Sequence, residues 1–246
     1  MRLALITDIH GNREAFGAVL ADVAGRGCER IAMLGDIVGY GPDPEWCVDK
    51  AMELVAAGAI CLQGNHDAAI AHGADGMTSN ARRAIEWTRP RLTAVQKAFL
   101  AGLPLTALTG DMLLCHASAE VPSEWIYVTS EVTATGALRA AKARLVFCGH
   151  VHVPALYAAD LSGAVRAQRV KIGVPLPLIA SRRWLAVVGS VGQPRDRNPG
   201  AGYAVFDDVT QELTFRRVAY DCGKTALKVR AAGLPEALAL RLLTGD

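Results

Sequence analysis

The chain lacks any apolar run near the roughly 18–20 residues of a membrane-spanning helix, so no span is expected. Its first apolar run stops at Asp8, too early for the core of a secretory signal, and a cytoplasmic location is the expectation. Charge of one sign is also missing. Twenty-six Lys and Arg face 24 Asp and Glu, a net charge of +2. That balance gives no broad footprint for nucleic acid or a membrane surface, and neither is an expected partner. The six cysteines contain no Cys-x-x-Cys pair, and buried free thiols are expected. Repeats, low-complexity tracts and linkers are absent. One domain over 1–246 is therefore expected, large enough to bury a substantial core.

What is present is a repeated pattern. Five apolar stretches each run into a polar residue able to hold a metal. They are Leu3–Thr7 before Asp8-Ile9-His10, Ile31–Gly35 before Asp36, and Ala59–Gly64 before Asn65-His66-Asp67. Met112–Cys115 before His116 and Leu145–Gly149 before His150-Val151-His152 complete the set. Short β-branched and apolar runs bounded by glycine read as buried strands. Ligands of open α/β sheets sit beyond the carboxyl ends of such strands. The pattern thus gathers five of the chain's six histidines at one sheet edge, beside Asp8, Asp36 and Asn65. A metal site is the direct implication.

Along the chain, Arg13–Gly25 and Pro44–Ala57 carry helical apolar spacing between the first strands, a β-α-β-α-β order that predicts parallel pairing. Residues 68–103 break this rhythm as a helical insertion, with helices predicted over Asn80–Thr88 and Thr93–Leu100 and a role as lid or as packing element. Thr109-Gly110-Asp111 marks a hairpin. Glu131–Lys142 reads as a helix. Trp184–Gly189, Gly202–Phe206 and Leu213–Val218 read as antiparallel strands, and Ala226–Leu243 as helix broken at Gly233-Leu234-Pro235.

The ordered set Asp-x-His, Gly-Asp, Gly-Asn-His-Asp, His, Gly-His-x-His resembles the calcineurin-like metallophosphoesterase superfamily. Gly39-Tyr40-Gly41-Pro42-Asp43-Pro44 and Gly189-Ser190-Val191-Gly192-Gln193-Pro194-Arg195-Asp196 are similar to its small bacterial phosphodiesterase branch. The superfamily's protein phosphatases carry Asp and Arg where this chain has Gly39 and Tyr40, which argues against phosphoprotein substrates. The resemblance implies an α/β fold of two mixed β-sheets packed as a sandwich flanked by helices, four layers in all. It also implies two divalent transition metal ions. Asp8, His10 and His152 would serve one, Asn65, His116 and His150 the other, and the Asp36 carboxylate would bridge both. Such a pair clamps the oxygens of an in-line phosphoryl displacement and lowers the pKa of a bound water. Mixed imidazole and carboxylate ligands suit Mn, Fe, Zn, Ni or Co better than Ca or Mg.

By the same resemblance His66 is the general acid that protonates the leaving oxygen, a role suited to imidazole. Asp67 either orients His66 or caps the next turn. Tyr40, Gln193 and Arg195 are candidate substrate contacts. His72, Arg82 and Arg83 are expected to be solvated surface residues. The expected activity is hydrolysis of a small phosphoester, a phosphodiester first. Nucleotide or dinucleoside polyphosphate hydrolysis is the enzymatic alternative, and a metal-binding interaction module without turnover is the alternative of another class.

Overall fold

Alternation along the first strand sets the layering. In β1 (Arg2–Ile6), Leu3 and Leu5 point to one face while Ala4 and Ile6 point to the other, and all four are buried. A strand buried on both faces needs a layer on each side. The computed structural model, which covers residues 1–246, supplies them.

The first sheet runs β3-β2-β1-β11-β12-β9. Here β2 is Arg30–Met33, β3 Ile60–Cys61, β9 Leu176–Pro177, β11 Ala201–Asp207 and β12 Glu212–Val218. The second sheet runs β4-β5-β6-β10-β7-β8. Its strands are β4 Thr106–Thr109, β5 Met112–Cys115, β6 Leu145–Cys148, β7 Ala155–Ala159, β8 Val165–Gln168 and β10 Arg183–Val187. The eight α-helices are α1 Arg13–Ala24, α2 Pro44–Ala56, α3 Asn65–His72, α4 Ser79–Thr88, α5 Ala94–Ala101, α6 Glu131–Ala140, α7 Cys222–Ala231 and α8 Glu236–Thr244.

Leu3, Leu5, Leu34, Leu114, Phe147, Phe206 and Phe215 form the core between the sheets, with the Phe147 and Phe206 rings 5.5 Å apart. Phe16, Val19 and Val48 of α1 and α2 cover the outer face of the first sheet over Ala4, Ile6 and Met33. Ala134, Ala137 and Leu138 of α6 cover Val146, Cys148 and Leu185 on the second. This is the mixed two-sheet sandwich with helices outside.

Strands β1, β2 and β3 are mutually parallel, as the β-α-β-α-β order predicts. One expectation needs correcting: β10 is antiparallel to β7 but parallel to β6. The reason is topological. The chain leaves β8, crosses through β9 on the other sheet, and returns between β6 and β7. A helix also went unread, since α3 begins at Asn65 itself. Cys115 turns into the core beside α6 and away from His116, in line with strand alternation.

Candidate metal centre and active site

The parallel strands β1, β2 and β3 end at the same edge as the parallel pair β5 and β6. Asp8, His10, Asp36, His116, His150 and His152 therefore meet there, each no more than 6% exposed. Asn65 and His66 arrive on the first turn of α3. The backbone turns sharply to bring them in. Asp8, His10, Asp36, His150 and His152 all have φ between 51° and 67°, a left-handed conformation that costs non-glycine residues energy and clusters at functional sites. Bonds between the loops hold the turns in place. The N–H of Asp8 donates to the Gly35 carbonyl (3.0 Å), His10 to Asp36 (2.9 Å) and Gly192 to Asp8 (2.8 Å).

Three of the imidazoles have their tautomer fixed. Nδ1 lies against a main-chain carbonyl in His10 (Val38, 3.1 Å), His116 (Leu34, 2.9 Å) and His152 (Gln193, 2.6 Å). A carbonyl only accepts, so each Nδ1 carries a hydrogen and each Nε2 is the nitrogen left to face a metal. Yet Nε2 of His10 and Nε2 of His152 face each other at 3.0 Å. Two lone pairs at that distance need a cation between them. A shared proton is disfavoured because burial drives His10 well below the usual imidazole range.

The carboxylates complete the case. Asp8 Oδ1 is buried with no hydrogen-bond partner and stands 3.2 Å from His152 Nε2. Its other oxygen accepts from Thr7 Oγ1 and from the His150 N–H, both at 2.9 Å. Asp36 Oδ2 is 3.6 Å from His10 Nε2 and 3.4 Å from His116 Nε2, between the two groups. Asn65 Oδ1 lies 3.2 Å from His116 Nε2, and His150 Nε2 is a second orphaned buried atom. The residues present fit metal ions: Asp8, His10 and His152 form one potential set and Asp36, His116 and His150 another.

Electrostatics differ between the imidazoles. Burial lowers His150 to about 3 and His66 to about 4. Burial also opposes the charge of His116, but the Asp36 carboxylate overcomes it and raises His116 to about 9. His66 sits over the junction, its ring 4.9 Å from that of His10 and 4.5 Å from that of Tyr40. Its main-chain N–H donates to Asp36 Oδ1 at 2.8 Å.

One of the two readings of Asp67 drops out, and the expectation for Gln193 needs correction. Asp67 does not contact the His66 ring. Its carboxylate accepts main-chain N–H groups from Ile37 (3.0 Å), Val38 (3.2 Å) and Gly64 (3.0 Å), so it caps α3 and pins the loop after β2. Gln193 is only 1% exposed and faces away from the cavity over the metal centre. Its carbonyl holds His152, and its side-chain Oε1 accepts from Arg195 Nη2 at 3.0 Å.

That cavity measures about 750 Å³ and is lined by Tyr40, Arg195 and His66 on one flank. On the other flank stand two residues no motif marked. Tyr127 stacks on the His150 ring at 4.0 Å, and Trp125 meets His116 edge-on at 5.8 Å. Met77 and Thr78, between α3 and α4, form a third wall, and His72, exposed as expected, also lines the cavity. The segment before α4 thus borders the site.

Comparison with known proteins agrees with this architecture. The profile of the calcineurin-like phosphoesterase superfamily domain matches residues 1–211. The chain belongs to that superfamily. A metallophosphoesterase from Sphaerobacter thermophilus has a crystal structure that superposes with a TM-score of 0.88, at 40% identity and covering 100% of both chains. A hypothetical protein from Pyrococcus horikoshii shares the fold at 19% identity, with a TM-score of 0.80 over 100% of this chain and 98% of that one. An uncharacterized protein of Methanocaldococcus jannaschii is 34% identical over 253 aligned residues, 99% of this chain and 98% of its own length. No helix is long and apolar enough to cross a membrane.

Proposed function

We propose that this chain is a metal-dependent phosphodiesterase. Asp8, His10, Asp36 and His152 would hold one divalent transition ion, and Asp36, Asn65, His116 and His150 a second, with Mn, Fe, Zn, Ni or Co the suitable metals. The observation that carries this is the pair of imidazole Nε2 atoms facing each other at 3.0 Å, both left without a hydrogen by the bonds at their Nδ1 atoms. When bound, the ions supply a Lewis-acid clamp on the phosphoryl oxygens and a water of lowered pKa.

The chain's own groups do the rest. Asp36 would supply negative charge to both ions, and its Oδ1 fixes the start of α3 and with it His66. Burial keeps His66 neutral in the free protein, and the negative phosphoryl group brought against it favours its protonated form. His66 then gives that proton to the departing oxygen. Tyr40 and Arg195 form one wall for an ester arm, while Trp125 and Tyr127 form the opposite wall. Two flanks on either side of the reacting group favour a substrate with two ester arms, a small-molecule phosphodiester. Gln193 supports Arg195 and His152 from behind.

Protein reconstituted with excess Mn or Zn and then desalted is expected to retain about two metal equivalents, as two-metal hydrolases do. It is expected to hydrolyse bis(p-nitrophenyl) phosphate faster than p-nitrophenyl phosphate. Two equivalents without turnover across a metal panel would make the chain an interaction module. Zero equivalents would end the metal reading altogether.

A further inference from the structure

Arg195 and Arg241 meet at a single uncharged oxygen. Arg195 Nη2 donates to Gln193 Oε1 at 3.0 Å, and Arg241 Nη1 donates to the same atom at 3.4 Å. Arg2, Arg26, Arg144, Arg166, Arg217 and Arg230 each reach a carboxylate. Arg195 and Arg241 have no carboxylate side chain within ion-pair distance. Arg241 Nε donates to the main-chain oxygen of Asp246 at 2.7 Å, and the negative charge of Asp246 favours the Arg241 guanidinium. Arg195 Nε is buried with no partner, and its guanidinium carbon stands 5.7 Å from the centre of the Tyr40 ring. Both side chains are partly buried. Arg195 has no counter-ion and stands against Arg241, whose charge Asp246 only partly offsets, so the pair, partly out of water, is electrostatically unfavourable until an anion joins it.

The placement says where that anion sits. Arg195 lines the cavity and its main-chain N–H donates to the His152 carbonyl at 3.2 Å, so it borders the metal centre directly. Arg241 stands behind it on α8, beyond the residues that match the superfamily profile. Leu238 and Leu242 of the same helix border Tyr40, His10 and Gln193 and fix its approach.

The geometry points to a second anion subsite, formed by Arg195 and reinforced by Arg241, that takes a negative group carried by the substrate beside the phosphoryl group under attack. This rests on the phosphoesterase reading for the first group only. Guanidinium forks match phosphate and carboxylate oxygens in pairs. The group is therefore a second phosphate or a carboxylate, and the substrate carries two adjacent anionic centres.

Isothermal calorimetry on the Mn-loaded protein tests this without turnover. The phosphate probes are adenosine 5′-monophosphate and α,β-methylene-ADP, which differ by one anionic group. The carboxylate probes are methylphosphonate and phosphonoacetate. In the unaltered protein the probe with the second anion should bind at least about tenfold more tightly in one pair, the scale of a charge-assisted contact. The pair that shows the gain identifies the group. Arg195→Gln and Arg241→Gln should each cut that ratio towards one while two metal equivalents are retained. Equal weakening of both probes in a pair would overturn the proposal, because the arginines would then serve only the metal-bound group. An unchanged ratio in both variants would also overturn it. The two variants lie in different elements, so misfolding of one leaves the other to decide. Failure of the phosphoesterase reading would show separately, as no hydrolysis of bis(p-nitrophenyl) phosphate.

Discussion

His66 and Asn65 are neighbours in sequence, and the structure gives them different surroundings. Asn65 Oδ1 points at His116 Nε2, while the His66 ring lies between Tyr40 and His10. His66→Ala is expected to keep both metal equivalents and lose about 10²–10⁴-fold in rate, the usual worth of general acid–base catalysis. The loss should be large for an alkyl ester and small for a nitrophenyl ester, whose leaving group departs without a proton. Equal losses on the two esters would remove the acid role. His116 makes a separate prediction. Raised to about 9 when no metal is bound, it carries a proton at neutral pH that an ion must displace. Metal affinity should therefore climb with pH up to about 9, by up to about tenfold per unit for one proton released. Calorimetry in buffers of different ionisation enthalpy reads that proton directly, and a flat affinity between pH 6 and 8 would refute it. The proposed ligand residues were legible in the sequence because each follows an apolar run. Trp125 and Tyr127 were not, since an irregular loop carries no periodicity. Asp67 was ambiguous because a carboxylate three residues past a helix start serves a cap or a neighbour equally well.

Helix α3 is the element on which the site turns, and the one the sequence concealed. It is short, and its first turn is written in chemistry-bearing residues instead of an apolar stripe. Its start is fixed by Asp67 on the Gly64 N–H and by Asp36 on the His66 N–H. Gly64 leaves no room: a Cβ there would overlap the Asp36 carboxylate and main chain. Gly64→Ala is expected to cost about 1–3 kcal/mol of stability through overpacking and to weaken metal binding by displacing Asp36. Thermal unfolding of the metal-free protein measures the first and a Mn titration the second. Unchanged values for both would show that the loop yields freely. Helices α1 and α2, by contrast, were read within a residue or so of their ends. Asn12 caps the first, with Oδ1 accepting from Ala15 N at 3.0 Å, and Pro44 opens the second, so local signals agreed with the packing.

On the scale of the whole molecule, parallel order among the first strands followed from alternation of strand and helix. The sheet partner of β10 did not, because strand pairing across long connections leaves no local mark. The α7–α8 hairpin shows the same limit. Its helices are plain in the sequence, yet nothing there says that they close the back of the site. Lys228 on α7 bonds to Glu14 of α1 and to Asp43 before α2, tying the hairpin to the loop that carries Tyr40. Arg241 reaches Gln193 from α8 across 48 positions of chain.

The tight glycines beneath the metal centre bear on how such a protein diversifies. Gly39 lies against the His66 ring, Gly64 against Asp36, and Gly149 against Thr7 and Asp8, each too close for a methyl group. Almost any substitution in that floor moves a residue of the site, so a lineage has little freedom there. Tyr127, 50% exposed, and the solvated stretch around Met77 carry no such constraint. New substrate preference can therefore be gained by redrawing the rim while the floor stays fixed, and a directed library limited to Trp125, Tyr127, Met77 and Thr78 would explore specificity, with retained metal equivalents the check that His116 and His150 keep their places.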